Sequence, residues 1–532
     1  MNSHKKLRIA ATSLFLLVKI AAIFATDYYV DAINGNDLFA GTTLAAPKKT
    51  LQGAANLNLV GGDVVFVRTG TYTNSGGSAA LSINKSGSAT APIIFKNYQN
   101  EKPIIEFDAW NGIEIVSGAS YLEINGFEVQ GFKSAFDLRT VARAETQYGT
   151  YATCANLVIT PLYNGNGIVV NDKSRTTLAD NSHHIRIVNC KVHDCGGGGI
   201  AVSGADYVNI ENNETYRNAW YSVYANSGIS VYQPFQFDAQ TGYKIIIRNN
   251  ISYLNDSKVK WQVGCKFSDG NGIIIDDLRN TQSGSISGIY PAKTLVANNL
   301  TYGNGGSGIH AFQSNNVDIV NNTSYQDGQR SGFNDGSIYA NTTSNVQILN
   351  NVVVGIAGKR INTNFTNTAH TVNYNIFNLG IAPVISGVND LTSNPLFINP
   401  SLDPLVANFQ VTSNSPAVNS GINFSGITTD ISGKPRVLSS APDRGAYEFG
   451  TVGTVEMDNP RVKIYPSVTT ANFTVEGART LDIVNALGQV VRREIITTPQ
   501  QSVSVSELQN GFYLLRGLDT EGVRFVKKLV KN

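Results

Sequence analysis

The chain has 532 residues, 42% of them hydrophobic and only 15% charged, with 50 glycines and a formal net charge of +2. Residues 1–25 carry four Lys/Arg and no acid, and residues 461–532 carry ten Lys/Arg against six acids, which leaves 27 basic and 33 acidic side chains in residues 26–460. This mildly acidic body excludes bulk electrostatic capture of nucleic acid, which needs a basic face. A polyanion would have to be met through a local basic cluster or a bridging cation.

The first 25 residues combine Lys5, Lys6 and Arg8, an apolar run from Ile9 to Phe24, and Ala25 at a cleavage position, the layout of a secretory signal peptide. Lys19 interrupts the run, and no other stretch approaches the roughly 20 apolar residues of a membrane span. An exported, soluble chain with no membrane span is expected, secreted or held at the cell surface. Its four cysteines, Cys154, Cys190, Cys195 and Cys265, could form disulfides in that setting. They lack Cys-x-x-Cys spacing, so buried thiols or bridges are expected rather than a metal cluster.

Residues 26–72 read as strand (Tyr28 onward), short helix (Pro47-Lys-Lys-Thr-Leu-Gln-Gly-Ala-Ala) and strand (Gly62-Asp-Val-Val-Phe-Val67), the helix plugging the open end of a solenoid. From about residue 90 one unit recurs: an apolar strand, a pair of asparagines, a second strand, then Gly-Ile and another turn. Asn212, Asn249, Asn298 and Asn321 are expected to lie one above another, and the 23-residue intervals between Asn189 and Asn212 and between Asn298 and Asn321 set the period. Strands this short and β-branched, bounded by Gly and Asn, predict a right-handed parallel β-helix rather than a leucine-rich repeat. Tyr216, Tyr253, Tyr302 and Tyr325 fall in one column, read as an aromatic stack of the coils. Longer intervals place loops at 137–165, 232–243, 256–270 and 278–293, around the same middle coils. Residues 26–449 are thus assigned to the β-helix, 450–460 to a linker and 461–532 to a small β-sandwich with clean alternation, as in Leu481-Asp-Ile-Val-Asn.

The terminal pieces Val462-Lys-Ile-Tyr-Pro466, Phe473-Thr-Val475, Val484-Asn-Ala-Leu-Gly-Gln489, Leu508-Gln-Asn-Gly-Phe-Tyr513 and Lys527-Lys-Leu-Val-Lys531 resemble the sorting domain of the type IX secretion pathway. The resemblance implies an address read by the export machinery, without chemistry of its own. Tyr29-Val-Asp-Ala-Ile-Asn-Gly-Asn-Asp37 through Gly70-Thr-Tyr72 resembles the start of right-handed β-helix proteins, among them the polysaccharide lyases of family nine. Pro442-Asp-Arg-Gly-Ala-Tyr-Glu448 is similar to the closing motif of exported β-helix proteins. The family-nine likeness implies a calcium site built from acids on neighbouring coils, and a lysine acting as base.

Acids are added to the repeat at one place, Cys265-Lys-Phe-Ser-Asp-Gly-Asn-Gly-Ile-Ile-Ile-Asp-Asp277. Period-2 alternation points Ile273 and Ile275 inward and Ile274 and Asp276 outward, with His310 on the next coil standing outside near Asp276. Asp269, Asp276 and Asp277 are expected to bind calcium, which takes six to eight oxygens. A cation on a uronate carboxylate would stabilise the enolate of a β-elimination while a base removes the C5 proton. Lys266 and Lys260 are candidates for that base and His310 a rival, Lys260 is also a candidate for substrate binding, and Arg279 could grip a carboxylate. Trp261, Tyr232 and Tyr224 are expected to contact sugar. The predicted protein is a monomeric secreted polysaccharide lyase acting on an acidic polysaccharide. Two alternatives stay open: a β-helix hydrolase or epimerase using paired aspartates, and a non-catalytic carbohydrate-binding or adhesive surface protein.

Overall fold

The computed structural model describes residues 25–74, 78–116, 118–131, 159–170, 181–450, 459, 461–485, 489–522 and 524–532. The expected signal peptide, Cys154, most of the 137–165 loop and most of the linker lie outside the described residues.

Three parallel sheets of 11, 9 and 10 strands form the walls of a β-helix. The first runs from Asp27–Val30 to Thr368–Asn373, the second from Ala79–Ile83 to Asn364–Phe365, and the third from Gly70–Thr73 to Ile376–Asn378. A coil contributes one strand to each wall, and alternate side chains enter a shared core of Ile, Val, Leu and Phe, with Ile273, Ile275, Ile309 and Ile319 fully buried. The helix Leu51–Ala55 covers the start, its N-terminus capped by the Thr50 side chain accepting from Gly53 N–H. Among the described residues no helix is long and apolar enough to cross a membrane.

The paired asparagines divide two tasks between them. The first of each pair, as in Asn212, Asn249, Asn298 and Asn321, takes the left-handed conformation (φ 56–59°) that turns the first sheet into the third, a φ asparagine tolerates. The second forms a buried ladder. Asn213 Nδ2 donates to Asn250 Oδ1 (3.0 Å), Asn250 to Asn299 (2.9 Å), Asn299 to Asn322 (3.0 Å) and Asn322 to Asn351 (3.0 Å). A parallel ladder joins Asn218, Asn255, Asn304 and Asp327. Turn amides that would otherwise be buried without partners are satisfied this way, which is why the repeat keeps Asn while its loops vary.

Three of the four column tyrosines stack as expected, with ring centroids 4.9 Å apart for Tyr216 and Tyr253 and 4.6 Å for Tyr253 and Tyr302, whereas Tyr302 and Tyr325 each pack on Phe409 at 5.1 Å. The column stands on the outer face of the third sheet, because the alternate residues Thr215, Ser252 and Thr301 are the ones that point in. The strand Asn408–Val411 and Tyr447 cover part of it. Cys190 and Cys195 are buried free thiols, and Cys265 is disulfide-bonded. Residues 461–532 fold around a separate core containing Phe473, Leu481, Leu515 and Phe525, under sheets of three and five strands.

Candidate active site

The strand Ile273–Asp276 lies in the second sheet between Ile229–Tyr232 and Ile309–Phe312. Three consecutive isoleucines fit because two point into the core while Ile274 is covered on the outside at 5% exposure. Register places Tyr232, Asp276 and Phe312 in one outward row, and Ser230, Ile274, His310 and Tyr339 in the next. His310 therefore stands outside and diagonal to Asp276, as alternation predicted. The loop 254–272 enters this strand and the loop 277–292 leaves it.

Asp269 lies where the chain approaches the strand and Asp276 is its last residue, near enough for the Asp269 charge to act on Asp276. Burial pushes the Asp269 carboxyl up to about 6, although Ser268 and Asn271 hydrogen-bond it and the Arg330 charge opposes the rise. Asp276 is raised well above the carboxylate range, first by burial and then by the neighbouring Asp269 charge, with Gln282 Nε2 donating to it at 2.8 Å. Burial is the first cause of both shifts, and a cation placed near these carboxyls would favour their charged forms.

Asp277 does something else. Its fully buried carboxylate accepts from Thr281 N (2.8 Å), Thr281 Oγ1 (2.9 Å), Gln282 N (2.8 Å) and Gln233 Nε2 (2.9 Å). These four donors engage both oxygens and fold its own loop, which gives Asp277 a turn-forming role beside the ligand role expected from sequence. Among the described residues no three His, Cys, Asp or Glu side chains gather as a metal-binding group.

His310 stacks on Tyr339 with centroids 4.3 Å apart. Its Nε2 is buried without a hydrogen-bond partner, and burial pushes the imidazole down to about 3. The ring is therefore neutral at ordinary pH, with a nitrogen that no protein group engages. Lys266 is exposed on a hairpin in which Trp261 N donates to Lys266 O at 2.9 Å, next to disulfide-bonded Cys265. Its charge helps lower Asp335, whose carboxyl burial otherwise raises. Arg279 is anchored by a bond from its guanidinium to Thr342 O at 3.1 Å. Tyr232 shares the Asp276 row. Tyr224 packs with Trp220, Tyr221, Val223 and Val259. Lys260 and Trp261, both half-buried, lie on the 256–270 loop.

Four residues were not singled out from sequence. Gln282 orients Asp276. Arg330, ion-paired to Asp256 at 3.1 Å, also donates to the main-chain oxygen of Asp269. Tyr339 and Asp335 complete the His310 side. Tyr339 was the recoverable one, since Ser337-Ile-Tyr-Ala340 repeats the Ser307-Gly-Ile-His-Ala311 strand start one coil on.

These features define a right-handed β-helix with Asp276 and His310 on the outer face of its second sheet. The region matching the family described as "Pel9A-like, right handed beta helix region" spans residues 28–345, well over half of the sequence, and the chain belongs to that family. Residues 463–532 match a secretion system C-terminal sorting domain, the type IX address, which directs the chain to the medium or cell surface. The chain is 25% identical over 355 residues to pectate lyase PEL9 of Emericella nidulans, covering 62% of this chain and 80% of that protein. It is 25% identical over 468 residues to pectate lyase L of Dickeya dadantii, covering 82% and 96%. Among solved structures it is similar to pectate lyase Pel9A, at 19% identity and a TM-score of 0.46, over 80% of this chain and 97% of that one.

Proposed function

We propose that the protein is a secreted polysaccharide-degrading enzyme, and that it cleaves an acidic, uronate-containing polysaccharide by β-elimination in the groove over Ile273–Asp276. The observation that carries this reading is Asp276, raised by burial and by the Asp269 charge, diagonal on the outer face to His310, whose Nε2 has no hydrogen-bond partner. The pectate lyases among its relatives make polygalacturonate the first substrate to try.

Two half-buried carboxyls of raised pKa fit one side of a hard cation, and Asp269 and Asp276 are the residues that would hold calcium, its remaining oxygens coming from main chain, water and substrate. When bound, such an ion neutralises the substrate carboxylate and the charge that builds on it during proton loss. The chain's own groups supply the rest. Arg279 and Lys266 offer positive charge to an incoming uronate that the acidic body would otherwise repel. His310 Nε2, buried in the free protein, would accept the C5 proton once docking of the sugar uncovers it, its basicity rising beside the anionic ligand. The C4–O bond then breaks, the departing oxygen is protonated from solvent, and a C4–C5 double bond remains.

Incubation with pectate, alginate, glycosaminoglycans and neutral glycans, read by both unsaturated-product absorbance and reducing ends, tests the reading. Unsaturation from an acidic polymer supports it. Reducing ends without unsaturation move the activity to a hydrolase in which Asp269 and Asp276 serve as the acid and base.

A further inference from the structure

The third sheet carries a concavity that this reading does not use. Its volume is about 740 Å³, within the ~300–1,000 Å³ span of small-molecule sites. The floor is the outer row of the strands Lys191–His193, Glu214–Tyr216, Ile251–Tyr253 and Leu300–Tyr302, and the wall is the segment Asp403–Gln410 with Tyr447. Asp276 lies on the second sheet, so the cleft is a separate place on the β-helix.

We propose that this cleft is a binding site for a neutral saccharide. Its charges balance: Lys191 and Arg217 against Glu214 and Asp403. An anion gains no net field there, whereas a hydroxyl-rich neutral ligand finds donors and acceptors together. The cations are tied down, Lys191 Nζ lying 5.3 Å from the Tyr216 ring centroid and Arg217 bonded to Asp194 at 2.6 Å. Glu214 is oriented by Tyr253, whose hydroxyl donates to it at 2.7 Å. Fixed polar groups beside aromatic carbon are what orient a sugar whose own surface alternates C–H and O–H. Tyr302 packs on Phe409 at 5.1 Å, so the aromatic floor continues into the wall. On the rim, Leu405 is 90% exposed, Gln410 is exposed, and Asp403 accepts from Leu405 N at 3.0 Å.

The choice of a saccharide rests on the polysaccharide reading, and the test separates the two. The full chain and its Asp276→Asn form are titrated calorimetrically with cello-, manno-, xylo- and galactotetraose and with tetragalacturonate. The double variant Asp403→Ala, Gln410→Ala changes only exposed rim side chains. At least one neutral tetrasaccharide is expected to bind wild type and Asp276→Asn equally, with affinity falling tenfold or more in the rim variant, whether or not the enzyme degrades any polymer. The proposal is overturned if no neutral tetrasaccharide binds, if binding survives the rim changes, if Asp276→Asn abolishes it, or if tetragalacturonate is the ligand the rim changes weaken.

Discussion

Asp276 and Asp277 are adjacent acids with opposite expected consequences. Asp277→Ala removes a buried carboxylate that accepts four hydrogen bonds. Gln233 Nε2 keeps a second acceptor, Gln282 O at 3.1 Å, and the Thr281 hydroxyl can turn to water. The two main-chain donors at Thr281 and Gln282 lose a charged acceptor, each contact contributing ~1.5–2 kcal/mol, so a loss of about 3 kcal/mol is expected. Asp276→Asn instead removes a charge that is opposed by Asp269 and keeps an oxygen for Gln282, so it should leave stability unchanged or raised at pH 7.5. Chemical denaturation followed by β-sheet circular dichroism measures both, compared at equal m-values. If Asp277→Ala is within about 0.5 kcal/mol of wild type while Asp276→Asn costs 2 kcal/mol or more, the assignment of turn residue and site residue is reversed.

Asn299→Ala should cost about 2–5 kcal/mol in the same assay, because it orphans Asn250 N–H and Ile247 C=O within a fully buried ladder; a loss under 1 kcal/mol would show that the ladder does not hold the coils together. Asp269, raised to about 6 from 3.8, binds more protons folded than unfolded, so its contribution destabilises as pH rises from about 4 to 6 and above. Asp269→Asn should therefore gain on wild type across that window, by up to about 3 kcal/mol at pH 7.5, in denaturation series at pH 4 and 7.5; a constant difference would contradict it. His310→Phe should lower kcat on the processed polymer by about 10²–10⁴ while the folded state stays at least as stable, since the ring's buried nitrogen has no partner to lose. Retention of kcat would remove His310 from the chemistry.

The walls of the fold were legible because their signals are local. The Asn pairs fix a turn, the Gly-Ile starts fix a strand, and alternation through Ile273–Ile275 settles which side faces the core. Register followed from the period, which is how His310 could be placed diagonal to Asp276 from sequence. The site was legible as a location and less so as a set of roles. Adjacent acids at a strand end look alike in a sequence, yet Asp277 enters the left-handed region (φ 50°) and folds back onto Thr281 and Gln282, whereas Asp276 stays in the strand. Arg330 supports Asp269 from 61 residues away, through a loop whose path no periodicity encodes. The tyrosine column was readable as a stack, but the segment 397–411 that returns to wall it in comes after the repeat has decayed.

The central claim is elimination at the Asp269 and Asp276 groove, and absorbance of unsaturated product from polygalacturonate with added calcium tests it most directly, with wild type, Asp276→Asn and Asp277→Asn compared under conditions where all three are folded. Wild type should generate unsaturated ends, Asp276→Asn should fall by at least 10²-fold, and Asp277→Asn should keep most of its activity. Equal activity of Asp276→Asn and wild type, or loss confined to Asp277→Asn, would contradict the account.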